Sequence, residues 1–368
     1  MTRVTITRKI DVRAAVPSWR SGMAQWEWKE LTGSSMNGVN PTVLPIGNTG
    51  PSSRVNTWTC FTANPATSVV YSAANGGHSD YSGNEVVALD MSADSPSWSI
   101  IRQPTPAASV LSDTTSYADG RPPSAHGYWS VHFVPSRGRI FRFGNLGSWP
   151  TGNSPAGTHA FDIAANDWDG AGSYPNTAWT HVTPYVYSGQ AQDASTENVY
   201  WINSGVPSLR RFNASVGTFS TLATIPNVND DVGYYRPMAY DHTRGLLLLI
   251  GDHYSPSSGG KVWTNDGGSG VWANFTFTGT DVSTLAGQNR AGAHYNETLD
   301  RIVVKASAGA TVYLVHPATK SIVAQATTGG TPPDPAQGVF GRFNYLPNLG
   351  GYAYYPTYTG NVWFLATE

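Results

Sequence analysis

The sequence predicts an all-β fold, a β-propeller of six blades, and three observations carry that prediction. The 368 residues include 39 Gly and 25 Pro spread along the whole chain, which suits many short strands joined by tight turns. Charged residues make up 12% and aromatic residues another 12%. A highly charged disordered chain or a long coiled coil is thereby excluded, and a packed core is well supplied. The third observation is a recurring unit: an aliphatic or aromatic run, a Gly-rich loop, a second apolar run ending near Asp or Asn, then a Trp or Phe segment.

The first run appears as Val69-Val70-Tyr71, Ile140-Phe141-Arg142-Phe143, Val199-Tyr200-Trp201-Ile202, residues 246–250, Ile302-Val303-Val304 and Tyr352-Ala353-Tyr354-Tyr355. Successive copies start 71, 59, 47, 56 and 50 residues apart, centred near the ~50 residues of a propeller blade. The second run follows each time, from Val86-Val87-Ala88-Leu89-Asp90 to Val362-Trp363-Phe364-Leu365. An outer segment follows five copies, among them Trp98-Ser99-Ile100-Ile101, Trp168 and Phe219-Ser220-Thr221-Leu222. The sixth copy reaches the C-terminus before an outer strand can form. Trp26-Glu27-Trp28-Lys29-Glu30-Leu31 is the candidate for that strand, closing the ring and hiding two open sheet edges. A seventh blade would require strands in residues 32–55, which read as loop.

Asn75-Gly76-Gly77-His78-Ser79-Asp80-Tyr81-Ser82-Gly83-Asn84-Glu85 and the strand after it resemble the strand–Gly-Gly–strand unit of Kelch and galactose-oxidase-type propellers. Residues 121–127 and 134–141 look like the start of the next Kelch blade. Gly144-Asn145 and Ile250-Gly251-Asp252 keep one glycine, and Lys305-Ala306 has none. Kelch-like propellers serve as binding platforms and, in some cases, as oxidases, so the fold does not choose between them.

The galactose-oxidase resemblance implies a copper site of two tyrosines, two histidines and a cysteine cross-linked to one tyrosine. Cys60, the lone cysteine, is available, as are His78, His126 and His294. No Tyr/His spacing matches that site, and the nine histidines form no cluster, so no metal and no cofactor is expected. Cys60 itself reads as a small apolar strand residue. Residues 264–272 resemble the Asp-box turn of sialidase-type propellers, with one extra residue before Trp272, but no Glu–Tyr partnership can be assigned. A turn held by Asp266 is the plainer reading. Adjacent residues on a tight loop point apart, so His78-Ser79-Asp80 reads as a turn stabilised by Asp80 rather than a triad. No catalytic residue is assigned; the alternative reading is a glycan-active hydrolase or oxidase.

Loops leading into the innermost strands line one mouth of a propeller. Residues 121–129, 230–236, 288–294 and 338–342 are placed there, and the candidate ligand-binding residues are Arg54, His126, Tyr128, Trp129, Tyr235, Arg236, Arg290, His294 and Arg342. Guanidinium forks bind carboxylate or phosphate, and aromatic faces stack on sugar rings. The competing role for each arginine is to bond carbonyls or acids of a neighbouring blade and staple the ring.

Residues 1–25 read as a basic arm preceding a propeller of residues 26–368. The arm has five basic residues and Asp11, for a charge of +4, which leaves -6 on the rest of a chain whose net charge is -2. That balance argues against a nucleic-acid surface. Val4, Ile6 and Ile10 alternate with polar residues in a pattern suited to adding a strand to a protein partner. No stretch of signal-peptide length opens the chain, and no run reaches the ~18 apolar residues of a membrane helix. A soluble chain of cytoplasmic synthesis is expected. Its role would be non-enzymatic, binding or structural, in a larger assembly such as a phage virion or tail, where it recognises a surface glycan or a protein partner.

Overall fold

The computed structural model describes residues 16–42, 45–144, 147–153, 157–175, 189–203, 208–224, 235–250, 259–264, 270–286, 290–306 and 309–368. Its strands form six small antiparallel sheets, the blades of a propeller. From inside outward, blade 1 is Phe61–Asn64, Val69–Ala73, Val86–Asp90 and Trp98–Arg102. Blade 2 is Val131–Val134, Arg139–Phe143, Thr158–Asp162 and Asp167–Trp168. Blade 3 is Gln190–Gln192, Val199–Asn203, Ser208–Asn213 and Thr218–Thr224. Blade 4 is Met238–Asp241, Leu246–Ile250, Gly259–Thr264 and Val271–Thr276. Blade 5 is Gly292–Asn296, Arg301–Lys305, Val312–Val315 and Ser321–Gln325. Blade 6 is Phe343–Leu346, Gly351–Tyr354, Val362–Ala366 and, from the other end of the chain, Glu27–Leu31.

That last strand is the predicted closure. It runs antiparallel to Val362–Ala366 with Trp28 opposite Leu365 and Leu31 opposite Val362, and Trp28 donates its indole N–H to Ala310 O of blade 5 at 2.9 Å. Among the described residues of 32–55 there is no strand, only the helical turns Gly50–Ser52 and Ser53–Asn56, so the ring has six blades.

The continuous aliphatic runs follow from burial on both faces of each blade. In Leu246–Ile250, Leu247 and Leu249 pack toward blade 3, while Leu248 and Ile250 pack toward blade 5. A separate hydrophobic cluster fills every blade–blade interface. The turn after each innermost strand contains one residue in the left-handed region: Ser68, Gly138, Glu197, Gly245, Asp300 or Gly350. In four of these turns an Asn or Asp at the strand end accepts a backbone N–H, as Asp241 does from Thr243 at 3.0 Å and Asp193 from Ser195 at 2.8 Å.

These short turns lie on one face of the ring. The loops into the innermost strands, and those between second and third strands, lie on the other. Residues 17–25 cross the turn face: Trp19 donates to Ala93 O of blade 1 at 2.9 Å, and Arg20 to Leu349 O of blade 6 at 2.8 Å. The ordered packing thus starts ahead of residue 26, and residues 1–15 of the proposed arm lie outside the described residues. Among the described residues no helix is long and apolar enough to cross a membrane.

Candidate functional site

On the loop face one register position repeats. Trp58, Tyr128, Tyr235 and Phe340 each stand three residues ahead of an innermost strand, and Arg290 stands two ahead. Blade 3's counterpart lies outside the described residues. Tyr128, Tyr235, Arg290 and Phe340 have φ of 47°, 54°, 61° and 46°, a region costly for any residue with a side chain. Backbone bonds between blades hold them there. Tyr128 N donates to Trp58 O at 3.0 Å, Arg290 N to Tyr235 O at 2.7 Å and Phe340 N to Arg290 O at 2.9 Å.

The left-handed residue turns its side chain toward the axis. Tyr128 of blade 2, Tyr235 of blade 4 and Phe340 of blade 6 are in mutual contact, with ring centroids 5.3 to 6.1 Å apart. Rings from three alternate blades can meet only over the axis. Trp129 packs edge-on to Phe340 at 4.8 Å. The channel is thus closed at this mouth by rings that are themselves buried, Phe340 at 0% and Tyr128 at 3% exposure.

One wall is polar. His126 is 4% exposed, with Nδ1 3.3 Å from the Tyr128 hydroxyl and Nε2 3.7 Å from Asp80 Oδ2. Trp58 packs on its ring at 4.6 Å, and the exposed His78 lies parallel to it at 5.8 Å. Asp80 accepts from the Thr49 hydroxyl at 3.1 Å, so its carboxylate serves neighbouring loops instead of its own turn, contrary to the sequence expectation. The His126 contact holds the Asp80 carboxyl below its usual range, whereas burial holds the His126 imidazolium down and keeps that ring neutral at pH 7. Gly76 and Gly77 make this wall. A Cβ on Gly77, at φ 76°, would stand 2.3 Å from Gly147 O.

The predicted residues separate into two groups. His126, Tyr128, Tyr235 and Arg290 come together at the mouth, with the Arg290 guanidinium 4.7 Å over the Tyr235 ring. Trp129 lies beneath them, 6% exposed. The rest face inward. Arg342 is fully buried and donates to the carbonyls of Gly338, Val55 and Thr57, joining blade 6 to the loop leading into blade 1. Arg54, 1% exposed, sits 3.3 Å from Glu85 Oε1, whose carboxyl is raised by burial against the pull of Arg54. Arg236 is 4% exposed. His294 donates from Nε2 to Phe343 O at 2.6 Å, bridging innermost strands of blades 5 and 6, and burial holds its pKa down at about 4. Asn344 makes the same kind of lateral bond to Phe61 O at 3.3 Å and Thr62 Oγ1 accepts from Phe133 N at 2.8 Å, so these side chains lace the ring together.

Trp58, Asp80 and Phe340 are not among the candidate ligand-binding residues of the sequence, although Asp80 reads there as a turn stabiliser and Phe340 lies in a predicted mouth loop. The signal for Trp58 and Phe340 was their shared spacing ahead of the innermost strands; Asp80 meets His126 only through blade packing. Cys60 is buried with its thiol 3.6 Å from Val131 O, and burial pushes it up to about 12. Asn265 to Ser269 of the Asp-box-like segment lie outside the described residues. No group of three or more His, Cys, Asp or Glu among the described residues could hold a metal ion.

No known protein family matches the sequence, and no curated protein matches it. Solved structures share the fold. A structural genomics protein of unknown function from Bacteroides thetaiotaomicron is 11% identical with a TM-score of 0.50, over 92% of this chain and 75% of its own. A nidogen/laminin complex chain is 10% identical with a TM-score of 0.40, over 78% and 87%. The first likeness shows the fold alone, and the second adds nothing to it.

Proposed function

We propose that this protein is a binding propeller whose loop-face mouth recognises a surface saccharide. The observation that carries the reading is the set converging there: the faces of Trp58 and Tyr235, the His78–His126 pair, the Asp80 carboxylate and the Arg290 guanidinium. Aromatic faces stack on the apolar faces of sugar rings, and neutral imidazoles and carboxylates pair with hydroxyls. The axis is closed beneath these groups, which favours gripping an end or a branch of a glycan. Screening the purified chain on a glycan array tests this; an absence of binding at high micromolar concentration removes the saccharide.

The protein acts as a component of a larger assembly, with residues 1–15 engaging a protein partner; a phage virion or tail is the concrete setting. The support is the basic, alternating sequence of that segment, followed by packed residues on the turn face, opposite the mouth. Removing residues 1–15 should abolish incorporation, and normal incorporation of the shortened chain would refute this role.

A second reading, a glycan-active enzyme, draws on the line Asp80–His126–Tyr128, a carboxylate, imidazole and phenol in sequence. Incubation with polysaccharide and sialosides, followed by assay of released reducing ends or sialic acid, separates it from binding alone.

A further inference from the structure

We infer that the saccharide is an acidic one, a sugar bearing a carboxylate that pairs with Arg290; this rests on the saccharide reading above. Four arginines precede innermost strands, and three are 4% exposed or less: Arg54, Arg236 and Arg342. Arg54 and Arg342 are bonded to backbone carbonyls and, for Arg54, to Glu85. Arg290 differs. It is only partly buried, and its guanidinium makes no hydrogen bond or ion pair with any described residue. Its Nε is withdrawn from solvent and unpartnered, while the terminal guanidinium nitrogens reach solvent and are left for an incoming acceptor.

Its backbone fixes where it points. Arg290 sits at φ 61°, its N–H on Tyr235 O and its own carbonyl accepting from Val339 N at 2.8 Å and Phe340 N at 2.9 Å. A flexible surface arginine would have no reason to occupy strained backbone at the centre of a ring. Lying over Tyr235, the guanidinium keeps its planar edge for a carboxylate, the geometry it matches bidentately.

The rest of the mouth decides the ligand's other properties. Asp80 adds a negative charge beside His126, whose charged form is disfavoured by burial. A polyanion such as an acidic peptide or sulfated chain would meet one unengaged guanidinium and one carboxylate among the described residues, a poor match. A single carboxylate on a ring of hydroxyls fits better: the acid to Arg290, hydroxyls to Asp80 and His78, and the ring face to the partly exposed Trp58.

The test is calorimetric titration of the full chain with two acidic probes, an oligogalacturonide and sialyllactose, each beside its neutral counterpart, a galacto-oligosaccharide and lactose. At least one acidic probe should bind at least about 10-fold tighter than its counterpart, and Arg290→Gln should weaken it by about 10- to 100-fold with an unchanged melting temperature. Equal affinity for acidic and neutral probes, or a preference that survives Arg290→Gln, overturns the acidic sugar while leaving saccharide binding intact. No binding of these probes or of any array saccharide overturns both. Tighter binding of polyglutamate than of either sugar acid overturns it in favour of an acidic protein partner.

Discussion

Trp129 of blade 2 donates its indole N–H to Ala291 O of blade 5 at 3.2 Å, across the full width of the ring. In a six-membered ring these blades are opposite, so one side chain ties together halves that share no sheet. Beside it, Phe340 of blade 6 packs on both Trp129 and Tyr128, and the lead-in loops act as a lid bonded to itself.

Trp129→Ala should therefore cost more than an ordinary large-to-small change at the edge of a core. Loss of about 3–5 kcal/mol is expected, as for other buried Trp truncations. Trp129→Phe keeps most of the packing and loses the cross-ring bond, for about 1 kcal/mol. Denaturant melts of both variants check this, and equal stabilities would remove the tie.

Arg342 and Arg290 should behave oppositely although both precede innermost strands. Arg342→Ala leaves the carbonyls of Gly338, Val55 and Thr57 without their buried donor, so about 3 kcal/mol or more of stability should go. Arg290→Ala should melt within about 0.5 kcal/mol of the parent, because its guanidinium makes no hydrogen bond or ion pair with any described residue and only its stacking on Tyr235 is lost. Thermal melts at one pH compare the pair directly.

Stability should fall on acidification between pH 6.5 and about 4, partly through His159. That residue is 4% exposed, its Nε2 is 2.9 Å from Thr115 O, and burial lowers its pKa from 6.5 to about 4. With the folded value depressed, the unfolded chain takes up the proton first as pH drops. Stability is thus whole above pH 6.5, declines through the window and levels off below about 4, by roughly 3 kcal/mol for one such group. His132 and His294 are shifted to the same range, again by burial. His159→Gln should flatten the profile without abolishing its slope; an unchanged profile would show that His159 contributes nothing.

Ring closure predicts a difference between two truncations. Removing residues 1–25 deletes Trp19, which is 8% exposed and edge-on to Phe364 at 5.1 Å, and Arg20, which bonds Leu349. That deletion should lower stability by about 3 kcal/mol or more. Removing residues 1–15 leaves these contacts in place and should lower stability less. Identical melting of the two truncated chains would show that residues 16–25 do not brace the ring.

The blades were legible because burial on both faces leaves a mark in one dimension. Leu246–Ile250 had to be apolar throughout, and the turn residues had to allow left-handed backbone. The strand completing blade 6 was legible for a similar reason: a sixth copy without its outer strand leaves an edge that another segment must cover. The site was less so. Arg54, Arg290 and Arg342 look equivalent in sequence, each a lone arginine ahead of an innermost strand. Asp80 and His126 stand on different blades, and nothing along the chain records that their loops interlock.

The sequence by itself determined the all-β class, the six repeats and the strand that closes them, because these depend on local periodicity and on the need to bury every sheet face and edge. Only the tertiary structure decided which arginine is unengaged, that Tyr128, Tyr235 and Phe340 seal the axis, and that His294 laces two strands together instead of facing a ligand. Those outcomes depend on how the closing ring brings loops from separate blades within a few ångströms of one another, and neighbours along the chain carry no trace of it.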